Sequence, residues 1–476
     1  MRTRRRSPSA LGKSRSGSSQ IRSGPSRFRK PGLKGSMTKI SIIGAGSAVF
    51  SQQMIVDALS IPGLESGEFA LIDIDPVRLE HSHELAELTV KKSGKNFSVR
   101  SGTKRNELLS GTDFVINTIE VSGLETVKFD FEIPKKFGVD ACIGDTVGPG
   151  GLMKFLRIAP AWLEIVRDIE RFAPNTVVMN YANPMSALVL LASRASKLPV
   201  IGLCHSIQNT AHELETYMNI PHGELKYRCA GVNHLSWFFE LTHNGQDAKP
   251  KLLEVANTPE IYEQDIIRFE MLKHFGAFPT ESSGHFSEYV PYFRKRPDLL
   301  EKYTRAAYKG ESGFYARNWP QWRQDHDLEV KNLIEREGKG EDAIVLERSP
   351  EFASNIIEGM VFDRAQVIGG NVINTGLIDN LPQDGCVEVT CLVDRNGIQP
   401  THFGRLPVQL AAINQQHMAI HDLMASAVLE ENCEAAFHAL LLDPLSAAVC
   451  SPQEIREMFE ELALAERDHL PEFMRV

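Results

Sequence analysis

The chain has 476 residues, 42% of them hydrophobic and 24% charged, with a formal net charge of -9. That length exceeds one ordinary domain and points to two, and no apolar run approaches the ~20 residues needed to cross a bilayer, so no membrane partner is expected. Residues 1–36 carry eleven Lys and Arg and no acid, which leaves 41 of the 52 bases against all 61 acids in the remainder, an acidic body that argues against nucleic-acid binding.

The basic leader over 1–36 is rich in Arg, Ser, Gly and Pro, has no apolar segment, and is expected to be disordered. Its composition suits a dispensable tail ahead of a start at Met37, an organelle transit peptide or a basic arm, and not a secretory signal. The run Lys39-Ile-Ser-Ile-Ile-Gly-Ala-Gly-Ser-Ala-Val-Phe50 then reads as the first strand, tight turn and first helix of a dinucleotide-binding unit. Gly44 supplies the turn conformation, and Gly46 lets the main chain approach a pyrophosphate at the helix start beside Ser47. Val49 stands where a third glycine would fall, so the motif alone is weak. The run Glu68-Phe-Ala-Leu-Ile-Asp-Ile-Asp75 strengthens it, because an acid at the end of the second strand binds the ribose hydroxyls of NAD. Asp73 is the first choice and Asp75 the second. Their distance from Gly44 exceeds the usual ~20 residues and requires an insertion near Ile61-Pro62-Gly63.

Further along, the spacing predicts a helix over 78–92, a short strand over 97–100 and a buried parallel strand over 113–118, whose end places Asn117 and Thr118 toward the nicotinamide ribose. The loop Ile143-Gly-Asp-Thr-Val-Gly-Pro-Gly-Gly151 precedes a helix expected from Leu152, and its glycines suggest backbone near a ligand. The stretch 175–184 reads as a strand ending in Asn180 and Asn183 before a proline, two amides that read as ligand contacts. Another buried strand delivers Cys204, His205 and Ser206, and a glycine-containing turn precedes His234. A thiolate with an imidazole suits a first-row divalent metal; the competing reading makes Cys204 a core thiol. A single amphipathic helix is expected over 261–275, a mobile or interface segment over 301–342, a strand over 387–393, and helices over 407–430 and 433–442. Seven cysteines at irregular spacing (142, 204, 229, 386, 391, 433, 450) form no disulfide framework and fit a reducing cytoplasm.

The motifs Gly44-Ala-Gly-Ser47, Leu71-Ile-Asp-Ile-Asp75, Asp145-Thr-Val-Gly-Pro-Gly-Gly151, Asn180-Tyr-Ala-Asn-Pro-Met185, Cys204-His-Ser206, Gly231-Val-Asn-His234, Thr280-Glu-Ser-Ser-Gly-His-Phe-Ser-Glu-Tyr289 and Asn374-Thr-Gly-Leu-Ile-Asp-Asn-Leu-Pro382 together resemble glycoside hydrolase family 4, from Met37 to the C-terminus. The resemblance is greatest to its bacterial α-galactosidase (melibiase) branch. It implies a Rossmann-like doubly wound parallel sheet over 37–203, and a second α+β domain over 204–476 for catalysis, metal binding and oligomerisation, in the architecture of lactate and malate dehydrogenases. It also implies a cytoplasmic homodimer or homotetramer.

The chemistry implied is hydrolysis of terminal, unphosphorylated α-galactosides by transient oxidation of the sugar at C3 by NAD+, elimination across C1 and C2 aided by a divalent metal, water addition and hydride return. Cys204 and His234 match the metal ligands, with Mn2+ expected. Asn183 and Asp145 match substrate-binding positions. His205 stands where phosphoglycosidase members carry Asp, which points to an unphosphorylated sugar and makes His205 the candidate acid. Tyr289 and His285 are the candidate bases. The rival readings are an α-glucosidase or α-uronic acid glycosidase of the same family, a malate- or lactate-type NAD dehydrogenase, and a non-catalytic NAD-binding sensor.

Overall fold

The computed structural model describes residues 37–304 and 310–475; the basic leader over 1–36 lies outside them. The strands are β1 (Thr38–Ile43), β2 (Ser66–Ile72), β3 (Asn96–Gly102), β4 (Phe114–Asn117), β5 (Val177–Asn180), β6 (Val200–Gly202), β7 (Lys226–Val232), β8 (Leu235–His243), β9 (Gln246–Asp247), β10 (Phe278–Pro279), β11 (Gln366–Ile373), β12 (Cys386–Asp394) and β13 (Gly397–Pro400). The first six are parallel in the order β3-β2-β1-β4-β5-β6, the doubly wound arrangement whose ligand crevice opens at the carboxyl ends of β1 and β4. The sheet does not stop at β6. It continues through β11, β12, β7, β8 and β10, every added neighbour antiparallel.

The central parallel strands β4, β5 and β6 read as short apolar runs because helices cover both faces. Along β4, Phe114 and Ile116 face one core with Ile42, Leu71 and Ile357, while Val115 faces the other with Leu156, Leu188, Met424 and Phe459. The second core is closed by helices Gly148–Phe172, Met185–Ala195, Val408–Leu429 and Pro452–Ala465, so residues from the far end of the chain complete the packing of the nucleotide-binding half. Asp75 caps helix Pro76–Ser93, accepting from Val77 N (3.0 Å) and Arg78 N (3.1 Å). This employs Asp75 structurally and leaves Asp73 at the sheet edge.

Four local expectations are corrected. The helix foreseen from Leu152 starts at Gly148, with Pro149 in its first turn, where a missing N–H costs nothing. The helix foreseen over 261–275 is broken into Pro259–Gln264 and Ile266–Phe275. Buried Asp265 leaves helical geometry at the break, and its carboxylate accepts from Arg268 Nε (2.7 Å), Tyr217 Oη (3.2 Å) and Ser283 Oγ. No glycine makes the turn before His234: β7 runs through Gly231, and Asn233-His234 turns the chain into β8 with His234 at φ +60°. Residues 314–338 form a 25-residue helix, Phe314–Gly338, anchored to helix Pro76–Ser93 by Lys92–Glu337 (3.2 Å), Arg78–Asp327 and a cluster of Leu85, Val330 and Ile344.

His417 and His421 lie one turn apart and buried on helix Val408–Leu429. Burial pushes their imidazoles down from 6.5, to about 4 for His417, which bonds the Tyr289 carbonyl (2.7 Å), and to about 3 for His421, which also feels His417. The unfolded chain takes up these protons near pH 6.5 and the folded chain only near pH 3–4, so stability is lost as pH falls through that interval. Each histidine is expected to remove about 2 kcal/mol between pH 7 and pH 5. His421→Leu should shrink the fall of the denaturant midpoint across that range; an equal fall in both proteins would refute the assignment.

Candidate active site

At the carboxyl end of β1 the chain turns at Gly44, whose φ of +90° and 2.8 Å clearance from the Thr118 carbonyl carbon exclude any side chain. Gly46 N donates to Asp73 Oδ2 (2.7 Å), and a Cβ on Gly46 would sit 2.8 Å from that oxygen. No side chain caps helix Ala48–Leu59 at Ser47, so its first N–H groups are open to an anion. Gly44, Gly46, Ser47, Asp73 and Thr118 line a groove of about 440 Å³, walled on the outside by Tyr315 and Trp319, whose rings stack at 5.0 Å. The Asn117 side chain is corrected out of this groove: it is fully buried and donates to Asn180 Oδ1 (2.8 Å). Asn180 likewise proves to be a core amide. Asn183 stays at the surface of the adjoining cleft, with a buried Oδ1 lacking a partner.

That second cleft, of about 420 Å³, shares Ser47, Thr118 and Tyr315 with the groove and is lined by Asp145, Asn183, Cys204, His205, His234, Glu281 and His285. Cys204 follows β6 and His234 follows β7, and the sheet order brings Sγ to 3.2 Å from Nε2. Glu281 Oε2 lies 3.5 Å from the same nitrogen; one ligand atom from each of Cys204, His234 and Glu281 falls within 4.8 Å of the others. His234 Nδ1 meets Tyr289 Oη at 3.2 Å, which leaves Nε2 as the ligating atom. Burial would raise the Cys204 thiol, but His234 outweighs it and holds the thiol below its ordinary value. Burial would also lower His234; Cys204 and Glu281 instead lift it to about 10. The site therefore favours thiolate, the form that binds metal. His234 and Glu281 both have positive φ, +60° and +74°, and such backbone strain gathers where a site must be aimed.

Proton-handling groups surround this cluster. His205 Nδ1 pairs with Glu351 Oε1 (3.1 Å), and this bond, against burial, lifts the imidazole to about 9. His285 is buried, with Nδ1 at 3.5 Å from Glu281 and Nε2 without a hydrogen-bond partner at 3.9 Å from Asp145. Tyr289 is 2% exposed, and burial pushes its phenol well above its ordinary value, so it suits holding His234 better than accepting a proton. Asp145 accepts from Lys154 Nζ (3.0 Å) and Thr146 Oγ1 (2.7 Å); Lys154 and His285 overcome burial and hold its carboxyl at about 2.

The family model for "Family 4 glycosyl hydrolase" matches residues 39–220, and the model for that family's C-terminal domain matches residues 229–446. The chain belongs to glycosyl hydrolase family 4. Among its relatives is an α-galactosidase of Bacillus subtilis, 37% identical over 448 residues, covering 92% of this chain and all of that one. An α-galactosidase of Rhizobium meliloti is 35% identical over 445 residues, covering 91% and 89%. A solved putative glucosidase from Bacillus subtilis superposes with a TM-score of 0.80 at 25% identity, covering 90% and 99%. The fold is also that of a 6-phospho-α-glucosidase from gut microorganisms in complex with NAD and Mn2+, at TM-score 0.77 and 19% identity, covering 92% and 100%.

In this family 4 chain, four functional candidates escaped sequence reasoning. Glu281, Glu351 and the wall residues Tyr315 and Trp319 carry no periodicity or spacing that separates them from surface residues, and Glu351 reaches His205 across 146 residues. Only the strained backbone before the Ser282 cap of the short turn Ser283–Phe286 marks Glu281. If Glu281 completes the cation site, Glu281→Ala should weaken Mn2+ binding about 10–100-fold while NAD+ binding stays unchanged, as read by titration of each; an unaltered Mn2+ affinity excludes the role.

Proposed function

We propose that this family 4 glycosyl hydrolase cleaves terminal, unphosphorylated α-galactosides with NAD+ and a divalent metal, manganese being the expected ion. The observation that carries the reading is the Cys204–His234 pair lining a cleft that shares Ser47, Thr118 and Tyr315 with the groove of Gly46 and Asp73. A simple dehydrogenase or an NAD-binding sensor has no use for such a pair. The two α-galactosidase relatives support the substrate. The cleft supports it as well: Glu120, Asp145 and Glu281 line it, and among its described lining residues the single Lys or Arg, Lys154, is already paired to Glu120 (2.9 Å) and Asp145 (3.0 Å). A phosphate or uronate carboxylate finds no unpaired Lys or Arg there, whereas neutral hydroxyls find acceptors.

The donor set fits a cation, and the glycine turn fits a dinucleotide. When bound, NAD+ offers a hydride acceptor for C3 and the metal a Lewis acid for the neighbouring oxygens. Cys204, His234 and Glu281 would hold the cation, with Tyr289 fixing the His234 ring. Asn183 would position the sugar through its unpartnered Oδ1. His285 is assigned the proton from C2 at its unpartnered Nε2, with Asp145 at 3.9 Å from that nitrogen and Glu281 at 3.5 Å from Nδ1 orienting the ring. His205, kept protonated by Glu351 at neutral pH, is assigned to the leaving-group oxygen.

Release of nitrophenol from the α-galactoside should require NAD+, Mn2+ and a thiol together, and exceed release from the α-glucoside and α-galacturonide. Turnover by cofactor-stripped enzyme would exclude the oxidative route. Net NADH formation with a hydroxy acid and no glycoside cleavage would make the protein a dehydrogenase. Glu351→Gln should shift the alkaline limb of the rate profile from near pH 9 toward 6.5; an unmoved limb removes His205 from the acid role.

A further inference from the structure

A second convergence of ligating atoms lies outside the cleft. Helix Ser206–Met218 begins beside Cys204 and His205. Roughly 10–15 Å along it, His212 and Glu215 project from one face, three residues apart. The chain leaves the helix at Asn219, in left-handed geometry at φ +50°, and returns His222 to the same spot. His212 Nδ1 lies 2.6 Å from His222 Nδ1, and His222 Nδ1 lies 2.8 Å from Glu215 Oε2. One ligand atom from each of the three residues falls within 4.8 Å of the others.

Protons alone serve this arrangement poorly. A proton on His222 Nδ1 can point at Glu215 or at His212 and not fully at both, while protonating both rings sets two N–H groups against each other. A cation accepts all three lone pairs at once. Glu215 is also fixed in advance: it is 4% exposed, and its other oxygen accepts from Gly223 N (2.8 Å) and Leu225 N (3.0 Å). Burial would raise its carboxyl, but these two amides and His222 outweigh it.

We propose that His212, Glu215 and His222 form a second metal site, selective for a zinc-type divalent cation. Two imidazoles and one carboxylate match the nitrogen-rich sets of late first-row metals, whereas Mg2+ and Ca2+ prefer oxygen. Ligand atoms around a tetrahedral ion at ~2.0–2.1 Å stand about 3.3 Å apart, so the rings must part slightly; the His222 side chain, 72% exposed, is free to do so. Water completes the shell. The ion ties the end of helix Ser206–Met218 to the turn that leads into β7, and so braces the chain between Cys204 and His234.

The probe is Zn2+, titrated calorimetrically with a non-thiol reductant into Cys204→Ser/His234→Ala protein, which lacks the catalytic pair. One equivalent should bind, and adding His212→Asn and His222→Asn should weaken it at least 100-fold. Co2+ in the same background should give the visible bands of a tetrahedral nitrogen–oxygen site without a thiolate charge-transfer band. No bound equivalent, zinc that survives both histidine changes, or a thiolate band overturns the proposal. Should the background variant fail to fold, wild-type protein should bind two equivalents and His212→Asn/His222→Asn one, with Mn2+-supported glycosidase activity unchanged; two equivalents in both proteins is the contrary result.

Discussion

A single buried carboxylate underlies the catalytic geometry. Glu388, in the middle of β12 and 1% exposed, accepts from Asn371 Nδ2 on β11 (3.0 Å) and Ser236 Oγ on β8 (2.7 Å). Asn371 also reaches the Gly202 carbonyl at the end of β6 (3.3 Å). These contacts cross the strands that separate β6 from β7, and Cys204 and His234 follow those two strands. Burial raises the Glu388 carboxyl, partly offset by Ser236 and His234. Leaving such partners unsatisfied costs about 1–3 kcal/mol each, and here the loss would fall on the junction that sets the 3.2 Å between Cys204 and His234.

The second constraint is a loop held from outside. Glu288 accepts from Cys142 N (2.6 Å), Ile143 N (2.7 Å) and Gly144 N (3.0 Å), which locks the glycine-rich approach to Asp145 against the segment bearing Glu281, His285 and Tyr289. Arg294 adds bonds to the Asp140 carbonyl, Ser287 Oγ and the Gly310 carbonyl, each at 3.0 Å. The cleft is therefore assembled on rigid backbone, and its charges are set by neighbours: Lys154 holds Asp145 ionised, Glu351 keeps His205 protonated, and His234 favours the Cys204 thiolate. Three groups with opposed proton preferences within one cleft suit acid–base chemistry near neutral pH.

The nucleotide-binding half and the rest of the chain are joined by one sheet, with helices from the C-terminal end completing the earlier core. Lengthening a parallel sheet by antiparallel strands places Cys204 and His234 at the edge where the groove of Gly46 and Asp73 already opens. The redox and Lewis-acid roles proposed for these residues would thus meet on one surface.

The glycine turn, the acid after β2, the apolar parallel strands and the Cys-His-Ser and Asn-His motifs were legible in the sequence, because each depends on local chemistry: backbone freedom at Gly44, an acid at a strand end, burial on both sheet faces. That Cys204 and His234 suit a metal together was open to residue chemistry and strengthened by resemblance, but thirty residues separate them and only the sheet order brings them into contact. What tertiary structure alone decided are the partners. Asn117 and Asn180 looked like ligand contacts at strand ends, yet they bond to each other in the core, because neighbouring parallel strands place them side by side. Glu281, Glu351 and Glu388 gave no local signal; their roles come from where the sheet order and the turn after β10 carry them. A carboxylate's function here depends on which imidazole or amide it meets, and for Glu351 and Glu388 that is fixed by packing across 146 and 152 residues rather than by its neighbours in the chain.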